Sequence, residues 1–228
     1  MTVHRLALYW APEREDPLHA LGSAWLGRDA ETGAALPQPR LPALDIAEIT
    51  ADPRLYGLHA TLKPPFRPAR EPAAVAAAAE ALAARLAPFD LPPLAVRDLS
   101  GFLALRETAP CPALRVLADA CVEALDACRA PPAEAELARR RQAGLTPAQE
   151  TLLARWGYPY VFDEWHFHIT LTRRLSAEER AAVLPAVTAH LGAAAARMRR
   201  VASICLFVQP APGAPFRIVR RLPLRGGR

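Results

Sequence analysis

The sequence predicts an α+β protein made of two similar lobes, each with an antiparallel sheet and flanking helices. The motif His-x-Thr-Leu occurs twice in strand-like segments, at residues 59–62 and 168–171. A helical segment and two more strand-like segments follow each copy, so the chain repeats one supersecondary unit. Alternating strands and helices also occur in doubly wound parallel sheets, but paired short strands after each helix favour antiparallel lobes.

We therefore expect one bilobal domain over residues 1–228, with pseudo-symmetric lobes around a central cleft. The approximate lobes are 1–110 and 111–228, and strands can cross between them. A chain of this length has enough residues to bury the core of such a domain.

In the first half of the chain, apolar periodicity and the positions of proline and glycine define the elements. The first helix is expected to end at Gly27, and the strand with the first motif at Pro64, because proline cannot donate to a sheet. The predicted elements are a strand over 3–10, a helix over 17–27, a strand over 55–63, an alanine-rich helix over 72–87, and two short strands within 94–105.

The second half contains two helix starts with clear capping signals. Thr146 with Gln149, and Ser176 with Glu179, have the spacing of a capping box. The predicted elements are an amphipathic helix over 112–128, a helix that ends within 138–144, a helix from Thr146, an aromatic loop over 156–165, a strand over 166–172, a helix from Ser176, and strands over 201–209 and 216–224.

The composition argues against several classes of protein. About half of the residues are apolar (52%), as in globular chains, and no apolar run reaches the ~20 residues of a membrane span. The four cysteines form no Cys-x-x-Cys pair, so we expect neither disulfides nor a zinc site, and a cytoplasmic location fits. The net charge of +5 is compatible with an anionic ligand but identifies none.

The repeated motif places reactive groups side by side, because residues i and i+2 of a strand point to the same side. The groups that share a face are His59, Thr61 and Lys63 in the first copy, and His168, Thr170 and Thr172 in the second. One imidazole can take a proton from a nucleophile while the other protonates a leaving oxygen. Hydroxyls and a positive charge can hold the phosphoryl oxygens. The set therefore indicates phosphodiester chemistry without a metal or cofactor, with the order of base and acid left open.

These motifs resemble those of the two-histidine phosphoesterase superfamily, which includes RNA cyclic phosphodiesterases and RNA-ligase-like proteins. The resemblance implies a bilobal, pseudo-twofold fold and metal-independent chemistry at a 2′ oxygen or a cyclic phosphate. Carried over residue by residue, it implies that His59 and His168 are catalytic and that Thr61 and Thr170 bind phosphate.

A closer resemblance, to an uncharacterised branch of the superfamily associated with bacterial phosphonate-utilisation operons, extends through most of the chain. It is carried by the segments LALYWAP, GSAWLGRDAETG, YGLHATLKPPF, GFLAL, RWGYPYV, FHITLT and a final LF-x-Q. This branch implies a small substrate with two anionic groups, such as a ribose 1,2-cyclic phosphate that carries a 5-phosphate. Arginines such as Arg28, Arg173 or Arg217 would suit it.

Further residues are weaker candidates. Lys63, the single lysine of the chain, and Thr172 are expected to bind phosphate. Tyr158 and Tyr160 could stack on a base or ribose, close the cleft, or fill the seam between the lobes. His166 and His168 form His-x-His, which leaves open a metal pair; no third ligand is evident nearby, although Asp163 and Glu164 are candidates. The arginines of 138–142 and 216–221 are interpreted as solvated faces or as an anion-attracting rim.

The leading hypothesis is a cyclic phosphodiesterase that acts on a small phosphorylated sugar. One alternative is an RNA 2′,3′-cyclic phosphodiesterase or 2′–5′ ligase-like enzyme. Another is a non-catalytic module that binds RNA or a nucleotide. The expected partner is therefore a small phosphorylated sugar or nucleotide, or RNA; no membrane is expected, and the sequence indicates no protein partner.

Overall fold

The computed structural model describes residues 3–41, 44–142 and 144–227, and its helices and antiparallel sheets confirm the α+β class. The strands are β1 (Arg5–Trp10), β2 (Ala60–Phe66), β3 (Phe89–Leu91), β4 (Leu94–Leu99), β5 (Phe102–Glu107), β6 (Ile169–Thr170), β7 (Arg199–Val201), β8 (Ser203–Gln209) and β9 (Arg217–Pro223). The helices are α1 (Pro17–Leu26), α2 (Ile46–Ile49), α3 (Ala51–Tyr56), α4 (Pro72–Ala83), α5 (Pro112–Ala124), α6 (Glu134–Arg141), α7 (Pro147–Trp156) and α8 (Ala177–Ala195).

Seven antiparallel strands form the main sheet in the order β4-β5-β6-β2-β1-β8-β9, and β3 pairs with β7 in a separate ribbon. The hairpin that follows the first motif in the chain, β4–β5, is added to β6, the strand of the second motif. The hairpin that follows the second motif, β8–β9, is added to β1, beside β2. Each half of the sheet therefore contains strands from both halves of the sequence. The lobe boundary near residue 110 stays a prediction.

The two faces of the sheet have different environments, as the alternation along β1 shows. Leu6, Leu8 and Trp10 point into the larger core, while Ala7 and Tyr9 belong to a smaller cluster on the other face. Helices α4, α5 and α8 pack on strands of the sheet, and α1 packs on α8. None of the described helices is long and apolar enough to cross a membrane.

The local signals for helix ends are confirmed. Gly27 ends α1 with a φ of 76°, which favours glycine. The capping boxes of Thr146 and Ser176 are formed at the starts of α7 and α8, with both reciprocal hydrogen bonds. The helix predicted to end within 138–144 is α6; Ala143 lies outside the described residues.

Several predicted bounds are wrong. Residues 55–56 belong to α3 rather than to the strand, and β2 continues through Pro64 and Pro65 to Phe66. The prolines are tolerated because the register shifts there: β1 advances two residues from Leu8 to Leu6, while β2 advances three. The helix from Pro72 ends at Ala83, and the second motif contributes only the two residues of β6 as strand.

Candidate active site

The two motifs meet at the junction of the two halves of the main sheet. Strands β2 and β6 are antiparallel neighbours, and Ala60 lies directly opposite Ile169. Both of these side chains are buried in the larger core. In an antiparallel pair, the residues on either side of this point face each other on the opposite surface. The register thus sets His59 across from Thr170, and Thr61 across from His168.

The imidazole of His59 is held by the backbone just before it. Its Nδ1 lies 2.9 Å from the carbonyl oxygen of Gly57, so Nδ1 carries the hydrogen and donates it. Nε2 is then an acceptor in the neutral ring, and the hydroxyl of Thr61 lies 3.4 Å from it. The nitrogen that can accept a proton therefore lies beside the hydroxyl predicted to bind phosphate.

His168 has the same backbone tether. Its Nδ1 lies 2.9 Å from the carbonyl oxygen of His166, so Nε2 is again the free nitrogen. The ring of Phe102 meets it edge-on, with centroids 6.1 Å apart. The His166 ring itself is exposed, and its Nδ1 contacts the carbonyl of Glu164 at 3.1 Å. Within the described ranges, no cluster of three metal-ligating side chains includes these histidines.

Both histidines have a lowered pKa and therefore favour the neutral form. Burial, with a smaller contribution from the charge of His168, lowers the pKa of His59 to about 4, although the hydrogen bond to the Gly57 carbonyl opposes the shift. Burial also lowers the pKa of His168, and Arg106 lowers it further, whereas the carboxylate of Glu107 opposes the shift. The carboxylate of Glu107 is the smallest of these influences, so the pKa of His168 is lowered overall.

A cleft of about 580 Å³ opens beside His59, and His59, Thr61, Thr170 and Thr172 line it. His168 is not among the lining residues, although Phe102, which meets its ring edge-on, is one of them. Its charged lining is strongly basic. The charged side chains are Arg5, Asp52, Arg139, Arg140, Arg173 and Arg174. Five guanidinium groups against one carboxylate create a positive potential that favours an anionic ligand.

The guanidinium groups differ in how far they are already neutralised. Arg173 pairs with Glu48 at 2.9 Å and with Glu179 at 3.0 Å. Arg5 bonds the neutral amide of Gln209 at 2.7 Å, and Arg174 bonds the carbonyl oxygen of Ser100. The charges of Arg5 and Arg174 therefore remain available to a ligand, unlike that of Arg173.

The structure corrects the role of Lys63. A β-bulge lies between Thr61 and Lys63, because β1 advances one residue from Tyr9 to Leu8 while β2 advances two. The extra residue reverses the alternation, so Lys63 points to the helix side and is 2% exposed. Its Nζ donates to the carbonyl of Val122 in α5 at 2.9 Å and lies 3.9 Å from Asp126. Lys63 therefore does not share the cleft face with His59.

Arg28 also lies outside the cleft lining. It is 8% exposed, and its guanidinium donates to the carbonyls of Arg54 at 2.9 Å and Leu55 at 3.2 Å, in the last turn of α3. Gly57 follows this turn with φ 82° and ψ −178°, a conformation nearly restricted to glycine. Arg28 thus fixes the backbone that leads to His59 rather than the substrate. Arg217 bonds the carbonyl of Thr32 and is likewise not part of the lining.

The remaining predicted residues divide between the cleft and the surface. Tyr158 lines the cleft and stacks under the guanidinium of Arg140, 4.5 Å from its ring centre. Tyr160 is 40% exposed, packs edge-on against Tyr158 and does not line the cleft. Thr172 lines it, but its hydroxyl oxygen accepts a hydrogen bond from the backbone N–H of Leu103 at 3.0 Å.

Sequence reasoning missed Tyr9 and Tyr56, which surround His59. The ring of Tyr9 stacks on the imidazole at 4.1 Å between centroids, and that of Tyr56 lies 5.7 Å away. The alternation of β1 could have indicated that Tyr9 faces away from Leu8 and Trp10. Nothing in the sequence shows that this face meets His59. Arg139 and Arg140, which line the cleft, were placed only on a general rim.

Comparisons with known proteins cover most of the chain. Residues 61–217 match the family described as a protein of unknown function, DUF1045. The chain is 38% identical over 231 residues to a ribose 1,5-bisphosphate phosphokinase PhnN of Janthinobacterium sp. (strain Marseille), covering 97% of this chain and 51% of that protein. It is 40% identical over 219 residues to a protein of the same name from Laribacter hongkongensis (strain HLHK9), covering 95% and 51%. The chain thus spans about half the length of the curated relatives it matches.

Among solved structures, the chain is similar to E. coli LigT complexed with NADP+, with a TM-score of 0.45 and 17% identity over 98% of this chain and 99% of that one. It is also similar to TT0787 of Thermus thermophilus, with a TM-score of 0.46 and 18% identity over 98% and 100%. The family match extends over most of this chain, from within the first motif to β9. This match shows that the chain belongs to the DUF1045 family.

Proposed function

We propose that this chain is a metal-independent cyclic phosphodiesterase that opens a small sugar cyclic phosphate. The observation that carries the proposal is the cross-strand pairing of the two motifs. It brings His59, Thr61 and Thr170 to one positively charged cleft and sets the second imidazole, His168, across the strands from Thr61. In both imidazoles Nδ1 is bound to a backbone carbonyl and Nε2 is free to exchange a proton. Phosphoryl transfer needs positioning, proton transfer and donors for the phosphoryl oxygens, and this set supplies all three.

In the proposed reaction, the oxygen of a water molecule attacks phosphorus while one ester bond of the ring breaks. Nε2 of one histidine takes the proton of the water, and Nε2 of the other gives a proton to the departing sugar oxygen. The product is an acyclic phosphomonoester. The hydroxyls of Thr61 and Thr170 donate to the non-bridging oxygens, and the arginines offset their charge.

We assign the base to His59 and the acid to His168. Because the pKa of His59 lies at about 4, its ring is neutral and can accept a proton at any pH well above that value. The acid must instead be protonated. Although burial lowers the pKa of His168, a carboxylate, Glu107, is among the groups that raise it, and none of the described groups that shift the pKa of His59 is a carboxylate. The charge of a bound phosphate raises the pKa of both rings, which increases the protonated fraction of His168 in the complex.

We propose that the substrate is a phosphorylated ribose, such as ribose 1,2-cyclic phosphate with a 5-phosphate. The relatives are named for a kinase that acts on ribose 1,5-bisphosphate, but this chain matches only about half of their length. A nucleotide-binding P-loop needs Gly-Lys followed by Ser or Thr. The single lysine of this chain, Lys63, lies between Leu62 and Pro64. We therefore assign the kinase activity of the relatives to the half that this chain does not match. For the matched half, we propose a related sugar phosphate as the substrate.

The test is turnover of ribose 1,2-cyclic phosphate 5-phosphate in excess EDTA. We expect the wild type to remain active and His59→Ala and His168→Ala each to lose about 10²–10⁴-fold in kcat/KM, the usual contribution of general acid–base catalysis. His4→Ala, which replaces a histidine outside both motifs, is the matched control and should stay within about twofold of the wild type.

Undiminished activity in either the His59 or the His168 variant would overturn the mechanism. Loss of wild-type activity in EDTA would overturn metal independence. Faster turnover of oligonucleotides ending in a 2′,3′-cyclic phosphate would identify RNA as the substrate instead.

A further inference from the structure

Tyr9 occupies the centre of the cleft face of β1. It lies directly opposite Thr61 in the ladder between β1 and β2. Its ring stacks on the imidazole of His59 with centroids 4.1 Å apart and an angle of 29° between the planes. Tyr9 therefore touches one of the proposed catalytic groups and neighbours one of the proposed phosphate ligands.

The hydroxyl of Tyr9 lacks a partner although the residue is only 1% exposed. Among the described residues, no side-chain or backbone group forms a hydrogen bond with this hydroxyl, and it is not among the polar atoms sealed from solvent. Since Tyr9 lines the cleft, the remaining direction for the hydroxyl is the cleft itself. Buried tyrosines normally bond their hydroxyl, so this one has a donor ready for a ligand.

The surroundings keep this donor protonated. Burial raises the pKa of Tyr9 well above its usual value of 10.0, and the nearby phenols of Tyr56 and Tyr158 raise it further. A phenol in such a site remains a hydrogen-bond donor at every pH at which the histidines would act. It also carries no charge that would repel a phosphate.

We infer that Tyr9 is a substrate-binding residue whose hydroxyl donates a hydrogen bond to one non-bridging oxygen of the phosphoryl group, an inference that rests on the proposed function. A preorganised donor in a site with little water stabilises the charge that develops on such an oxygen. Removal of one such donor typically lowers the rate by about 10²–10³-fold.

This donor exists on only one side of the paired motifs. The ring beside His168 is that of Phe102, which has no hydroxyl. Tyr9 therefore donates a hydrogen bond to only one of the two non-bridging oxygens, although the two motifs are paired symmetrically. In a phosphorothioate, sulfur replaces one of these oxygens, and the two possible positions give two diastereomers. If one oxygen accepts the hydrogen bond from Tyr9, the enzyme should act faster on one diastereomer than on the other.

The test uses Tyr9→Phe, which keeps the ring and its stacking on His59 and removes only the hydroxyl. We expect kcat/KM for a cyclic phosphodiester to fall about 10²-fold or more, with an unchanged thermal midpoint. The ratio of kcat/KM between the two diastereomers of ribose 1,2-cyclic phosphorothioate 5-phosphate should move towards one. The control, Tyr160→Phe, removes a phenol outside the cleft and should leave both the rate and the ratio unchanged.

A Tyr9→Phe protein with the wild-type rate and the wild-type ratio would overturn the inference. A lower rate with an unchanged ratio would also overturn it, because a structural defect affects both diastereomers equally. If the wild type turns over no cyclic phosphate, the proposed function fails, and binding of inorganic phosphate becomes the measurement. Weaker binding by Tyr9→Phe than by Tyr160→Phe would then still support the donor, and equal binding would reject it.

Discussion

The two His-x-Thr copies share their backbone geometry but differ in what surrounds them. In both, Nδ1 of the histidine donates to a carbonyl two residues earlier, at 2.9 Å. His59, however, stacks on Tyr9, whereas the ring nearest His168 is Phe102, and Glu107 acts on the pKa of His168. Repeating the motif thus gives both imidazoles the same backbone contact, while the strands packed around each ring give it different neighbours.

The largest expected effect tests this difference directly. On a sugar cyclic phosphate, His59→Ala and His168→Ala should both lose about 10²–10⁴-fold in kcat/KM. On a phosphodiester with a 4-nitrophenolate leaving group, the decrease in kcat/KM caused by His168→Ala should be much smaller, because such a group departs without a proton. The decrease caused by His59→Ala should be as large as on the sugar cyclic phosphate, since the attacking water still needs a base. Measuring kcat/KM of both variants on both substrates gives the comparison.

The opposite pattern, with the smaller decrease in His59→Ala rather than in His168→Ala, would reverse the assignment of base and acid. If each variant lost the same factor in kcat/KM on both substrates, the two histidines would not act as separate base and acid. His4→Ala, measured beside them on both substrates, shows that the ratio between the substrates is unaffected by replacing a histidine elsewhere.

A smaller effect is expected at the carbonyl that holds each histidine. In the first copy the acceptor is Gly57 at φ 82° and ψ −178°, and a Cβ there would lie 2.5 Å from the Cβ of Ala30. Gly57→Ala should therefore displace the carbonyl and the His59 ring. We expect kcat/KM to fall about 10–100-fold, the order of loss that a misplacement near 1 Å causes.

Gly213→Ala is the matched control, because Gly213 also has a positive φ, of 75°, but has open space around it. It should affect stability slightly and leave kcat/KM unchanged. In the second copy the acceptor, His166, has no positive φ. Wild-type activity in Gly57→Ala would show that the glycine is unnecessary and that the two tethers are equivalent.

The smallest effect on catalysis is expected at the position where the copies differ most in sequence. Lys63 points to α5, whereas its counterpart Thr172 lines the cleft. Lys63→Met should leave kcat/KM within about twofold, because it changes no cleft residue. It should lower the free energy of unfolding by about 1–3 kcal/mol, since the carbonyl of Val122 loses its buried partner. Urea denaturation and kinetics on the same samples would check both. A large loss of activity with an unchanged free energy of unfolding would show that Lys63 acts in the cleft after all.

The sequence was informative where a rule acts over a few residues. The capping boxes, the end of α1 at Gly27 and the alternation from His59 to Thr61 all depend on local geometry, and each matches the structure. The same alternation failed between Thr61 and Lys63, because a β-bulge arises from the fit between two strands. The sequence of one strand does not contain that fit.

The rest of the site depends on contacts between distant segments. Tyr9 comes from the first strand and Arg140 from α6, and both reach the cleft through the order of the strands and helices. Periodicity can place Tyr9 on a face of β1 but cannot tell which strand lies beside it. Arg28 was misassigned for a similar reason: its partners are backbone carbonyls, and such carbonyls occur at every position of a sequence.

The crossing of the hairpins has a consequence for how the two copies can be separated. Each half of the main sheet contains strands from both halves of the sequence, because β4–β5 joins β6 and β8–β9 joins β1. His59 faces Thr170 and Thr61 faces His168, so each imidazole has the hydroxyl of the other copy as its cross-strand neighbour. Two fragments cut between β5 and α5 would each lack a complete imidazole–hydroxyl pair across the strands. Only reassociation of the two fragments would rebuild both pairs.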